Sequence, residues 1–263
     1  MKILTAIVVV VLSVLPAAFA ANLAYDAASN ATYNAGWTNG ANGGSGFGAW
    51  TLTPQPNNAN AGFFVGDSTQ NGTFPSGGIN TGGKAFGLYG NTAAADAWRT
   101  FQGGSLSVDQ SFRIDFDNGW LNSGLSTGWG LQNGSGQNLV EVWFNGGDGY
   151  YTISDFSGVH ASSNTWTDGG LRLQVTLTAA TNYSMSIIQG TATNTYSGYL
   201  LSQASQGIQQ FHVWNGGVGS GPNFDLYINS MSVVPEPGTM ALMGLTLAGM
   251  TVFFRQVRRR RNI

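Results

Sequence analysis

Ser111-Phe112-Arg113-Ile114-Asp115-Phe116-Asp117 and Leu171-Arg172-Leu173-Gln174-Val175-Thr176-Leu177-Thr178 are the stretches whose reading decides the fold. Phe112, Ile114 and Phe116 alternate with Arg113, Asp115 and Asp117. Leu171, Leu173, Val175 and Leu177 alternate in the same way with Arg172, Gln174, Thr176 and Thr178. Successive side chains of a strand point to opposite faces, so each stretch has one apolar face to bury and one polar face for water. That is how strands read in an antiparallel sheet covered on one side only.

Similar segments, rich in aromatic and β-branched residues and punctuated by Gly, Asn, Asp and Ser, recur on both sides. They predict strands at Phe47–Thr53, Ala61–Val65, Lys84–Tyr89, Ala97–Gln102, Ser111–Asp117 and Gly128–Gln132. Further strands are predicted at Leu139–Phe144, Tyr150–Asp155, Leu171–Thr178, Tyr183–Gln189, Gln209–Trp214 and Asn223–Val233. No helical periodicity interrupts them between Ala21 and Val233. A dozen strands without crossover helices predict an all-β fold, an antiparallel two-sheet sandwich of jelly-roll type. Size and strand order resemble the concanavalin/laminin-G group, as an architectural analogy. Ala31–Ser45 and Gly66–Gly83 read as loops, the first a flexible one.

Composition narrows the classes. The chain has 263 residues, 39 glycines, no cysteine and only 8% charged residues. With 12% aromatics it carries the side chains of a packed core, which disordered chains lack. Without cysteine it has neither disulfides nor thiolate metal sites. The net charge of −2 hides an asymmetry, because the basic residues gather at the C-terminus. Between Ala21 and Val233 there remain four cations (Lys84, Arg99, Arg113, Arg172) against eleven acids, about −7. Nucleic acid is therefore not an expected partner, since phosphate contacts need clustered cations.

The two ends read as addresses. Lys2 precedes the apolar run Ile3–Leu15, then Pro16 and Ala18-Phe19-Ala20. That order predicts a signal helix over residues 1–20 with small residues Ala18 and Ala20 at the cleavage site. At the other end stand Val234-Pro235-Glu236-Pro237-Gly238-Thr239, the apolar stretch Thr239–Phe254, and Arg255, Arg258, Arg259, Arg260 and Arg261. As a helix, 239–254 spans roughly 24 Å. It is predicted to cross the membrane with snorkelling arginines and the basic cluster on the cytoplasmic side. The expected domains are 1–20, a body at 21–233, and a tail at 234–263.

This tail resembles the PEP-CTERM sorting domain, also catalogued as an ice-binding protein C-terminal domain. The resemblance covers Val234 to Ile263 only. It implies Pro235, Glu236 and Pro237 as the sorting motif, and the export machinery and an exosortase-like transpeptidase as partners. It also implies membrane anchoring with the body outside until processing, then a place at the cell surface or in the extracellular matrix.

The body offers little catalytic chemistry. Glu141 is its single glutamate, so a paired-glutamate glycosidase is excluded, while Asp115 and Asp117 with Glu141 remain a conceivable acid–base set. These two aspartates are expected to face water, and Glu141 to be a solvated strand residue. His160 and His212 make no metal spacing, and no Gly-x-Ser-x-Gly elbow occurs. No cofactor is predicted. Calcium is the one metal for which the body offers donors, the oxygens of Asp115, Asp117, Asn118, Asp148, Asp155 and Asp225, although such residues also serve turns. Of eight tryptophans most should fill the core, leaving Trp120 and Trp166, in predicted loops, to stack on sugar rings. The expected function is a non-enzymatic, exported structural or adhesive protein of the surface or exopolysaccharide, with carbohydrate binding. The alternative is a secreted polysaccharide-acting hydrolase.

Overall fold

The structure, a computed structural model, describes residues 23–72, 78–201 and 206–235. The chain divides into a compact unit, Ala21–Pro235, and a second unit of the two ends, which lies outside the described residues. Outside them too lie the expected signal helix with Ala18 and Ala20, the motif residues Glu236 and Pro237, the helix at 239–254, and Arg255, Arg258, Arg259, Arg260 and Arg261. Among the described residues no helix is long and apolar enough to cross a membrane.

The strands are β1 (Ala24–Asp26), β2 (Thr51–Thr53), β3 (Ala61–Gly66), β4 (Ala85–Gly90), β5 (Ala94–Thr100), β6 (Gln110–Asn118), β7 (Ser126–Gln132) and β8 (Asn138–Asn145). They continue with β9 (Tyr150–Asp155), β10 (Gly158–Thr165), β11 (Leu171–Ala179), β12 (Asn182–Gln189), β13 (Ala192–Tyr199), β14 (Gln210–Gly216) and β15 (Leu226–Pro235). One sheet runs β13-β12-β11-β6-β15-β4-β3, with β1 also paired to β15. The other runs β10-β9-β8-β7-β14-β5-β2. All the strand pairings are antiparallel, as the alternation requires.

The two deciding stretches are neighbours. In the β6–β11 pair, Arg172 stands opposite Asp115 and Gln174 opposite Arg113. The apolar faces of both strands look inward and are buried. There Phe112 meets Phe211 of β14, ring centroids 5.3 Å apart, and Phe211 meets Trp50 at 5.6 Å. The first of these contacts joins the two sheets, and aromatic pairs of this kind add about 0.5–1.5 kcal/mol each beyond the area they bury.

Three strands depart from the sequence expectation: β1, β10 and β13. The supposed flexible loop at 31–45 begins with a short 3-10 turn at Ala31–Ala35 and sends Tyr33 and Trp37 into the core. Asn30 caps that turn by accepting from the Thr32 amide, so local hydrogen bonding sets the entry of both rings. The body also ends later than expected. β15 continues through Val234 to Pro235, which pairs with Gln110, so the first proline of the tail motif belongs to a strand.

Candidate functional site

Strand β6 ends at Asn118, and the next residues turn over the end of the sandwich. The Trp120 amide donates to the Asn223 carbonyl at 2.6 Å and fixes where that side chain leaves the backbone. Trp166 follows β10 and is held by its indole N–H, which donates to the Gly119 carbonyl at 3.2 Å. These anchors bring the two rings together edge to face, centroids 5.5 Å apart and planes at 81°. Trp120 stays 57% exposed, while Trp166 packs against the core.

The pair walls a cavity of about 270 Å³, closed below by Leu121 and Phe144 and bordered by Asp148. The opposite wall depends on Gly146, in the β8–β9 turn. A Cβ there would lie 2.1 Å from the Asn122 carbonyl oxygen and 2.6 Å from that of Leu121, so only glycine lets the two backbone segments touch. An apolar floor, one exposed indole and a polar rim can hold a ring that is apolar on its face and polar at its edge.

A second aromatic group lies on the outer face of the other sheet. Cross-strand register puts Trp98 beside His212, and the rings stack at 4.6 Å, nearly parallel at 7°. Trp214, two residues along the same strand, also stacks with His212 at 5.3 Å. His212 Nε2 lies 2.9 Å from Asp96 Oδ1. His160 is exposed on β10.

The acids do not all behave as expected. Asp115 and Asp117 are on the outer face but are largely buried: Asp115 is partly covered by Arg172, whose Nε donates to its Oδ1 at 2.8 Å. Asp117 lies under Asn71, whose amide donates to its Oδ1 at 3.2 Å. Burial pushes the Asp117 carboxyl up to about 8, against the Asn71 hydrogen bond and helped by the charge of Asp168. Burial likewise lifts Asp225 to about 7. Nor is Glu141 freely solvated: partial burial raises its carboxyl, opposed by the Asn138 hydrogen bond and by His212.

The remaining candidate calcium donors are dispersed. Asp148 accepts from Asn145 at 2.8 Å, Asp155 accepts from the Tyr183 hydroxyl at 2.7 Å, and Asn118 accepts from the Tyr151 hydroxyl. Among the described residues, no three histidine or acidic side chains are gathered so as to hold a metal ion. Asn71 and Asp168, which gather around Asp117, were not singled out by the sequence. Asn71 contacts residues 46 and 154 positions away, a relationship without a local pattern.

No curated protein sequence matches the chain. Among solved structures, a conserved carbohydrate esterase of the Shiga toxin-encoding bacteriophage phi24B is 11% identical and superposes with a TM-score of 0.52, over 83% of this chain and all of that one. A legume lectin-like domain from Entamoeba histolytica (9% identity, 67% of this chain and 90% of that one) gives 0.41. The lectin UEA-II in complex with galactose (14% identity, 71% and 98%) gives 0.38. The first likeness supports the sandwich as a fold. Residues 233–260 match the PEP-CTERM protein-sorting motif, a sorting signal that implies export and surface anchoring through the C-terminus.

Proposed function

We propose that this chain is an exported, exosortase-sorted surface protein whose body binds carbohydrate, with Trp120 as the stacking platform and Trp166 as its support. The observation that carries the reading is Trp120 itself: it stays 57% exposed although Trp166 and the Asn223 carbonyl fix its position. Water gains nothing from a large aromatic surface held rigidly in the open, whereas a sugar ring covers it at little entropic cost. The body is non-enzymatic in this reading. A second reading, a hydrolase acting on polysaccharide, draws on one specific feature, the half-buried carboxyl of Glu141 near His212.

A glycan array with the full-length protein in neutral detergent, run with and without calcium, tests the proposal. Neutral glycans should bind, and Trp120→Ala should weaken them about tenfold or more while leaving the melting temperature unchanged. Trp166→Ala should weaken them less and also lower stability, because its ring is partly core. No bound glycan, or binding indifferent to Trp120→Ala, would sink the reading.

A further inference from the structure

The outer face of the first sheet carries a feature that the tryptophan cavity does not use. Two hollows, of about 470 and 460 Å³, share Asp115, Arg172 and Ser230 in their walls and so form one continuous trough. Its floor is polar by register: Arg113 stands opposite Gln174 and Asp115 opposite Arg172. Beside them β15 carries an extra residue between Asn229 and Ser232. Within this bulge Ser230 takes a left-handed conformation, φ 49°, which costs a non-glycine residue free energy and re-aims its side chain. The Ser230 hydroxyl lies 3.1 Å from that of Thr81, at the border of the trough.

Charge is distributed against the composition. The body carries about −7 and only four cations, of which Arg99 is wholly buried. Two of the other three stand in this trough. Arg172 Nε donates to Asp115 at 2.8 Å, and Arg113 Nε donates to the neutral Gln174 Oε1, also at 2.8 Å. The one carboxylate here is thus paired with Arg172 alone, and the side chain of Arg172 remains 63% exposed. An ordinary cross-strand ion pair explains Arg172 with Asp115. It does not explain Arg113, which is oriented by an amide and lacks an anion of its own among the described residues.

We infer that this trough is a second binding site, which takes an acidic polysaccharide by gripping a uronate-type carboxylate between Arg113 and Arg172. The two arginines are diagonal neighbours on adjacent strands, roughly 7–8 Å apart, within reach of one carboxylate from two sides. Planar guanidinium forks suit a carboxylate, and the serine and threonine hydroxyls at the border suit the sugar. Sparse anionic charge fits better than the dense charge of a nucleic acid, which a body of about −7 repels. The site is independent of the Trp120 cavity.

Calorimetry with the full-length protein in neutral detergent tests it, using oligogalacturonate and its fully methyl-esterified form. The free acid should bind, more weakly as salt rises, and the ester should not. Arg113→Gln and Arg172→Gln should each weaken binding about tenfold. Asp115→Asn should tighten it severalfold, a result that a merely structural trough would not give. Trp120→Ala should leave it unchanged, so that failure here and failure of the cavity reading are told apart. Absence of binding, equal binding of the ester, indifference to both arginine variants, or loss on Trp120→Ala overturns the inference.

Discussion

The Asp26 carboxylate and the Arg99 guanidinium form an ion pair with both side chains wholly buried. Asp26 ends β1 of one sheet and Arg99 lies on β5 of the other, so the pair ties the two layers together. The Tyr33 hydroxyl also donates to Asp26, and Arg99 lies over the rings of Phe47 and Trp50, 5.2 and 4.8 Å from their centroids. Removing one partner strands a charge in the core, which costs about 3–5 kcal/mol. Asp26→Asn and Arg99→Met should each lower unfolding free energy by about that much in urea titrations. The apolar double variant Asp26→Leu/Arg99→Met should lose less than the two single losses added together. Single losses under about 1 kcal/mol would show that the pair does not carry the layer contact.

Stability should fall from mildly acid to mildly alkaline pH. Burial places the folded carboxyls of Asp117 at about 8 and Asp225 at about 7, whereas both ionise near 4 in the unfolded chain. Between those values the folded state holds more protons, so this contribution is full below about pH 4 and is lost as pH rises through the folded values. Asp67 acts the other way. Its carboxyl is held low by the Thr69 amide and Asn80, so its contribution is lost only at more acid pH. Melting curves should therefore show a falling midpoint from pH 5 to 8. Asp117→Asn, which removes the larger shift, should raise the midpoint by several degrees at pH 8 and little at pH 5. An unchanged slope in that variant would refute the assignment.

Gly128 of β7 should resist substitution. A Cβ there would lie 2.6 Å from both the Val142 carbonyl oxygen and the Trp143 Cβ, and 2.7 Å from the Trp214 ring. Backbone cannot yield as a flexible side chain can, so Gly128→Ala should cost about 1–3 kcal/mol. Gly149→Ala, where nothing lies within 4 Å, is the control and should be nearly neutral in the same thermal melts.

What the sequence reveals follows from burial. β6 and β11 are legible because each has one buried and one polar face. β13, Ala192–Tyr199, has no buried residue and ends its sheet, so no apolar alternation marks it. β10 ends the other sheet and buries only Ser162 and Asn164, polar residues that read as a turn. The strand signals that β13 does carry are the β-branched Thr193 and Thr195 and the aromatic Tyr196 and Tyr199. The tryptophan pair was legible one residue at a time, because each lies beside turn-forming residues. Their contact, and the cover that Asn71 gives Asp117, depend on segments that only the folded chain brings together.

Processing at the tail should depend on the motif and not on the body. Pro235 closes β15 opposite Gln110, so alanine there adds a backbone donor without removing a packed ring from the core. Replacing Pro235, Glu236 and Pro237 with alanine should leave the melting curve of the body unchanged and trap uncleaved precursor in the membrane. Fractionation and intact mass measure this; mature protein identical to the native product contradicts the sorting role.

Glu141 is the residue on which the proposed non-enzymatic reading is best tested. It points outward from β8 between buried Val140 and Val142, opposite Gly130, with His212 in register on the next strand. Burial raises its carboxyl, in the same direction as those of Asp117 and Asp225. Glycosidic hydrolysis needs a second carboxyl roughly 5–10 Å away in a contrasting environment. The carboxylate nearest His212 is Asp96, already bonded to that ring at 2.9 Å. Burial, not a paired carboxylate, is the largest cause of the Glu141 shift, as for a desolvated sheet residue. Glu141→Gln should leave glycan binding unchanged. It should raise the melting midpoint slightly at pH 7 and not at pH 4, because only the ionised form is disfavoured by burial. The native protein should degrade no polysaccharide in a reducing-end assay. Reproducible cleavage abolished by Glu141→Gln, with folding intact, would replace the binding protein by a hydrolase.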